Sequence, residues 1–170
     1  MDKSTLNALE IARIATDIED SGIRFYSAAA EKAVDPEAKE LFEKLSHAEL
    51  DHMNRFRKMY ARLDEEMGGM ESSAEMLFDD ELTSYLRALS DGAVFPDAES
   101  ARQWVAEAPD MLSILRRALE AEKSSVLFYQ EMADHNAFAD SRGMLASIIA
   151  EEKSHAAWVS AMIYRLGQTS

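Results

Sequence analysis

An internal repeat constrains this chain more than any other feature. Glu19 and Glu122, Glu49 and Glu152, and His52 and His155 are each separated by 103 residues, as are Phe25-Tyr26 and Phe128-Tyr129. Each copy reads Glu, then Phe-Tyr, then Glu-x-x-His. Glutamate is common here, so one match carries little; histidine occurs only four times, and the aromatic pair repeats as a unit. Two such copies predict two similar helix pairs related by an approximate twofold axis.

Hydrophobic spacing supplies the helices. Ile11, Ile14, Ile18, Phe25 and Ala29 fall at three- and four-residue steps and predict a first helix over about 5–33. Asp35-Pro36-Glu37 then combines a capping acid, proline at the first helical position and an acid in the first turn. The helix it starts runs over 36–67 with the stripe Leu41, Leu45, Glu49, His52, Phe56 and Leu63, and Gly68-Gly69 stops it. A third helix over 110–133 carries Leu112, Leu115, Leu119, Glu122, Val126 and Tyr129. After a turn near His135-Asn136, a fourth over 139–166 carries Leu145, Ile148, Glu152, His155, Val159, Met162 and Leu166. Between them, 68–109 reads as a short helix from Glu75 to Leu89, a turn at Asp91-Gly92 and another short helix from Pro96 to Ala106. That segment is too long for a simple loop and suits a crossover along a bundle. The expectation is one all-α domain over 1–170, an antiparallel four-helix bundle with a long crossover between helices 2 and 3.

Composition excludes several kinds of chemistry. The chain has no cysteine, which removes disulfides, thiolate-held metal centres and cysteine nucleophiles. A metal here must be held by oxygen and imidazole nitrogen. The formal net charge of -14 argues against nucleic acid and anionic lipid; it favours metal cations, or simply keeps the protein soluble. No apolar run approaches the ~20 residues that cross a bilayer, and the N-terminus lacks a signal-peptide core, so a cytoplasmic protein is expected.

Positions three apart on a helix differ by only ~60° in direction, so Glu49 and His52 share a face, as do Glu152 and His155. Both pairs interrupt apolar stripes, where an ionised carboxylate is costly unless paired or coordinated. Four carboxylates facing one core repel one another, and their pKa values rise. Two divalent cations balance four negative charges. Carboxylates can bridge two metals, while imidazole favours iron, zinc or copper over magnesium or calcium. One Glu from each of two helices, with Glu-x-x-His from each of the other two, is a known di-metal arrangement in bundles.

Four segments carry a specific likeness: Glu19-Asp-Ser-Gly-Ile-Arg-Phe-Tyr26, Glu49-Leu-Asp-His52, Glu122-Lys-Ser-Ser-Val-Leu-Phe-Tyr129 and Glu152-Lys-Ser-His155. In this order the chain resembles the rubrerythrin-like branch of the ferritin-like di-iron superfamily over nearly its whole length. The resemblance implies that Glu19, Glu49, His52, Glu122, Glu152 and His155 bind two metal ions, iron ahead of manganese or zinc, with Glu49 and Glu152 as bridges. It implies that Tyr26 and Tyr129, seven residues beyond Glu19 and Glu122, hydrogen-bond carboxylates from other helices. Two departures stand out. The cysteine-held iron domain of rubrerythrin has no counterpart in this cysteine-free chain. The additional carboxylate that rubrerythrin carries one turn after its third-helix ligand is replaced by Ser125, whose repeat mate is Gly22.

The leading functional expectation is an oxidoreductase that reduces hydrogen peroxide or dioxygen with electrons from an external donor protein. The alternatives are ferrous iron oxidation and handling, and a non-catalytic metal-binding bundle. A homodimer is expected from the resemblance. His47, Glu10, Glu120 and Glu151 are expected at the surface, His135 in a loop or cap, and the methionines as core filler.

Overall fold

The computed structural model describes residues 6–67, 78–93 and 98–168. Its helices are α1 (Ala8–Lys32), α2 (Pro36–Met67), α3 (Asp80–Ala93), α4 (Ala98–Glu107), α5 (Met111–Asp134) and α6 (Arg142–Gly167), with a 3-10 helix over Asn136–Ser141 before the last. The longest pairings are α1 on α2 and α5 on α6, so the two sequence copies form two hairpins. The crossover helices rest on the bundle, α3 against α5 and α4 against α1.

Side-chain caps fix where most helices begin. The Asn7 side chain accepts from the Glu10 amide while Glu10 accepts from the Asn7 amide, both at 2.9 Å. This reciprocal cap, worth about 1 kcal/mol, starts α1 at Ala8 rather than near residue 5. Asp35 receives the Ala38 amide at 2.9 Å ahead of α2, and Asp110 the Ser113 amide at 2.7 Å ahead of α5. Asp79 receives the Leu82 amide at 2.8 Å and caps Asp80–Ala93, which runs on past the expected end at Leu89; the expected start at Glu75 lies outside the described residues. Asp91 and Gly92 consequently end that helix instead of forming a turn after it. A glycine in the last turn costs little, because few intrahelical bonds depend on it. Gly68, Gly69 and Pro96 lie outside the described residues.

The fourth bundle helix also begins later than expected, at Arg142, because residues 136–141 form the 3-10 turn. Phe138 within it has φ -109° and ψ 17°, a departure that lets its ring bury against Phe78. His135 acts as the cap expected of it: its Nδ1 accepts from the Ala137 amide at 3.2 Å, and its ring stacks on Phe78 at 3.9 Å. The Lys32 ammonium donates to the carbonyls of Val105, Ala106 and Ala108 at 2.7, 2.9 and 2.9 Å, satisfying the C-terminal end of α4 with a cation.

Two apolar layers form the core. One gathers Ile11, Ala15, Ile18, Phe56, Leu63, Phe128, Met132, Leu145 and Ile148. The other gathers Phe25, Ala29, Phe42, Leu45, Ile114, Leu115, Ala118 and Val159. Each fully buried large side chain contributes about 1.5–3 kcal/mol. Along every bundle helix the switch from one layer to the other falls at the acids and histidines of the repeat. Among the described residues, no helix is long and apolar enough to cross a membrane.

Candidate metal centre

The buried polar residues of the bundle include Glu19, Glu49, His52, Glu122, Glu152 and His155, one or two from each long helix. They meet at one place between the apolar layers. Glu19, Glu49, His52 and Glu152 each offer a ligand atom within 4.8 Å of the others, and so do Glu49, Glu122, Glu152 and His155. Glu49 and Glu152 belong to both sets; Glu19 with His52, and Glu122 with His155, belong to one each. The 103-residue offset thus becomes a twofold relation in space between two overlapping donor sets.

Both imidazoles turn Nδ1 inward. The Nδ1 of His52 lies 2.9 Å from Glu152, 3.4 Å from Glu49 and 3.7 Å from Glu19. That of His155 lies 3.0 Å from Glu152 and 3.5 Å from Glu122. The two rings sit 5.6 Å apart and nearly parallel. Tyrosines hold the unshared acids from across the bundle: Tyr26 of α1 donates to Glu122 of α5, and Tyr129 of α5 donates to Glu19 of α1. These exchanged bonds orient one carboxylate oxygen of each acid and leave the other facing the centre.

Electrostatics makes the centre unstable as a collection of free charges. Burial, with the Glu152 charge beside it, pushes Glu122 up to about 8. Burial raises Glu19 as well, and it raises Glu49 further still with the help of the Glu19 charge. Burial alone would lower both histidines, but the facing carboxylates outweigh it. Glu122 and Glu152 hold His155 at about 10, and Glu152, Glu19 and Glu49 hold His52 well above its ordinary range. Burial also raises the phenols of Tyr26 and Tyr129, next to Glu122 and Glu19 respectively, so both remain hydrogen-bond donors. Protons therefore take the place of cations when no metal is bound.

The donor set fits two cations. His52 Nδ1, Glu122 Oε2 and Glu152 Oε1 are buried without a hydrogen-bond partner. His52 Nδ1 and Glu152 Oε1 lie close together yet are not aligned as a hydrogen bond. Buried polar atoms rarely go unpartnered, and these three face a common centre lined by carboxylate and imidazole, the donors that divalent transition metals accept.

One neighbour of the centre escaped the sequence reading. Glu151 was expected to point into water; it is only part-exposed and accepts from His52 Nε2 at 3.0 Å. Arg55 grips the same carboxylate through Nη1 at 2.9 Å and Nη2 at 3.4 Å, and Ser147 donates to it at 2.8 Å. Burial would raise Glu151, but these partners, Arg55 foremost, hold it down at about 2. The four-residue step from Ser147 to Glu151 puts the two on one flank of α6, and nothing in the sequence marks that flank as the one that meets α2. Of the other acids, Glu10 caps α1 and Glu120 is exposed; His47 is exposed and bonded to the Glu43 carbonyl of its own helix.

A narrow pocket of about 20 Å³ reaches the acids between α1 and α5, lined among others by Gly22, Glu49, Arg117, Glu122 and Ser125. Glu49 packs closely over Gly22: a Cβ at this position would meet Glu49 Cγ at 3.2 Å. Its repeat mate Ser125 is buried, so neither half carries a further carboxylate at this position.

A solved structure from Thermotoga maritima, described as a ferritin-like diiron-carboxylate protein, superposes with a TM-score of 0.69 at 24% identity, covering 94% of this chain and 96% of that one. That likeness establishes the fold as a ferritin-like bundle. No curated protein matches the sequence. The family model described as Rubrerythrin matches residues 3–60 and 113–170, the two segments that hold all six inward-facing acids and histidines and both tyrosines. This chain belongs to the rubrerythrin family.

Proposed function

We propose that this protein is a di-iron oxidoreductase that reduces hydrogen peroxide or dioxygen with electrons from an external donor protein. The observation that carries the reading is the pair of overlapping donor sets, buried and sharing Glu49 and Glu152. Glu19 and His52 would complete one metal position, Glu122 and His155 the other. Two ferrous ions bound there would supply the two electrons that reduce peroxide to two molecules of water, or that take dioxygen to peroxide, with a second pair from the donor needed to carry dioxygen on to water.

The chain's own residues do the rest. Tyr26 and Tyr129 keep their protons and fix the unshared acids against rotation. The apolar layers above and below exclude bulk water, which strengthens each charge interaction inside. The pocket beside Gly22 and Ser125 has room for a molecule the size of water or peroxide. No cysteine is present to relay electrons within the chain, hence the outside donor.

The test is anaerobic loading with ferrous ion, followed by rapid mixing with peroxide or with dioxygen. The proposal expects two ferrous ions bound per chain, oxidised together by one equivalent of peroxide and re-reduced by a one-electron donor protein over many turnovers. Oxidised iron accumulating as a stored core would favour iron handling. A redox-silent pair of zinc ions in protein from its native host would overturn the proposal.

A further inference from the structure

The two halves of the centre match in their inward-facing residues and diverge immediately outside them. His52 Nε2 is held by Glu151, itself held by Arg55 and Ser147. Shifting that group by the 103-residue repeat gives its counterpart around His155. Glu151 becomes Ala48, Arg55 becomes Trp158 and Ser147 becomes Lys44. Those residues do meet in space: the Lys44 ammonium sits 3.5 Å over the Trp158 ring, whose centroid lies 5.4 Å from that of His155. Among the described residues, none offers a hydrogen-bond acceptor to the outer nitrogen of His155.

We infer that Glu151 is a positioning residue for His52 and makes the Glu19/His52 position the tighter of the two, filled by the first cation to bind. The inference rests on the two-metal reading above. A hydrogen bond from Nε2 to a carboxylate fixes the tautomer whose Nδ1 lone pair faces inward, holds the ring plane and raises its basicity as a ligand. At His52 the carboxylate is anchored by a two-pronged guanidinium contact and a hydroxyl, so little freedom is left to lose when a cation arrives. At His155 the ring is flanked by an aromatic face and no carboxylate among the described residues holds its outer nitrogen, so the second position must fix tautomer and ring plane as it binds. Because Glu49 and Glu152 serve both positions, the difference between positions lies in these outer contacts.

The experiment is an anaerobic titration of the full, metal-stripped chain with cobaltous ion. Absorption reads each binding step, and proton NMR reads the hyperfine-shifted imidazole N–H signals. Two resolved steps are expected. At one equivalent a single slowly exchanging N–H should appear, from His52, whose ring is buried. Glu151→Ala should weaken the first step about 10- to 100-fold and leave the second within about twofold. Glu151→Gln, whose amide oxygen can still accept from Nε2, should recover much of the loss. If Glu151→Ala loses its helical circular dichroism, Arg55→Gln tests the same contacts from α2 while leaving the carboxylate in place, with a smaller weakening confined to the first step. An unchanged first step in a folded variant, or a first-equivalent signal that survives His52→Gln and vanishes in His155→Gln, overturns the inference. Two equal, unresolved steps in the unaltered chain also overturn it while sparing the two-metal reading. Failure to bind more than one cation ends both.

Discussion

The Glu19/His52 half and the Glu122/His155 half of the centre carry the same residues in their inner layer, yet a few ångströms outside it they share almost nothing. Inside, each half offers one unshared glutamate, one imidazole presenting Nδ1 and one tyrosine from the opposite hairpin. Outside, an ionic cluster of Glu151, Arg55 and Ser147 backs one imidazole, and a cation over an indole ring flanks the other. The difference teaches where duplication constrains a sequence. A buried set of acids tolerates no change that leaves a charge uncompensated, whereas residues at the rim can exchange a salt bridge for aromatic packing at modest cost. Two identical halves can thereby acquire different affinities while keeping the same ligands.

The strongest way to break the comparison is to remove what the halves share. Glu49 and Glu152 belong to both donor sets, so Glu49→Ala should abolish binding of both cations. Glu19→Ala or Glu122→Ala, each in one set, should leave one. Anaerobic titration with ferrous or cobaltous ion reads the stoichiometry. If Glu49→Ala retains two ions per chain, the shared-ligand geometry is wrong.

Acidity affects both halves together. Glu122 is raised from 4.5 to about 8 in the fold, and His155 from 6.5 to about 10. A group raised in the folded state favours folding below its unfolded value and loses that contribution as pH climbs through its folded value. The metal-free protein should therefore lose thermal stability progressively from about pH 5 to pH 10, with Glu122 acting over the lower part of the range and His155 over the upper. Cation binding displaces the same protons, so affinity should rise over that range and the metal-loaded protein should melt with a flatter pH profile. Melting curves at several pH values, with and without metal, check the sign. A metal-free protein that grows steadily more stable toward pH 10 would contradict the buried cluster.

The tyrosines sharpen the comparison, because here the halves should behave alike. Tyr26→Phe strands an oxygen of Glu122 and Tyr129→Phe an oxygen of Glu19, both deeply buried. Removing a hydrogen bond to such a group costs about 1.5–3 kcal/mol, so urea midpoints of the two variants should fall by similar amounts. A loss confined to one variant would show that the inner layer is less symmetric than its contacts.

How much of this the sequence disclosed follows the same division between inner and outer layers. The inner acids and histidines were legible because helical geometry ties Glu-x-x-His to a single face, and because flanking residues such as Leu45 and Phe56 assign that face to the core. The repeat then joined segments far apart in the chain. Glu151 was not legible. Its own helix directs it ~100° away from Glu152, and only the approach of α2 brings Arg55 and His52 to meet it. Contacts across helices depend on packing angle and depth, which one helix's periodicity does not encode. The crossover was legible as a length but not as boundaries. Asp79 begins α3 there, where the eye is drawn instead to the stronger breaker Asp91-Gly92, which the helix absorbs in its last turn.

The smallest expected effect concerns Gly22 and Ser125, repeat mates that differ by one side chain. Adding a Cβ at Gly22 brings it 3.2 Å from Glu49 Cγ and 3.4 Å from Cδ, tighter than ordinary contact but against a side chain that can shift. Two consequences of Gly22→Ala then oppose each other. Replacing a mid-helix glycine by alanine favours α1 by up to about 1 kcal/mol, so the metal-free protein should melt no lower than before and slightly higher if Glu49 yields freely. The displaced carboxylate, however, serves both cation positions, so affinity should fall a few-fold at each step. Ser125→Ala adds no atom to its side of the centre and should change cation affinity within about twofold. Melting and titration on the same two variants separate these effects. A Gly22→Ala protein that gains stability and keeps full affinity would mean that Glu49 needs no room on that side. The absent side chain would then matter for access through the pocket between α1 and α5, and not for placing the shared ligand.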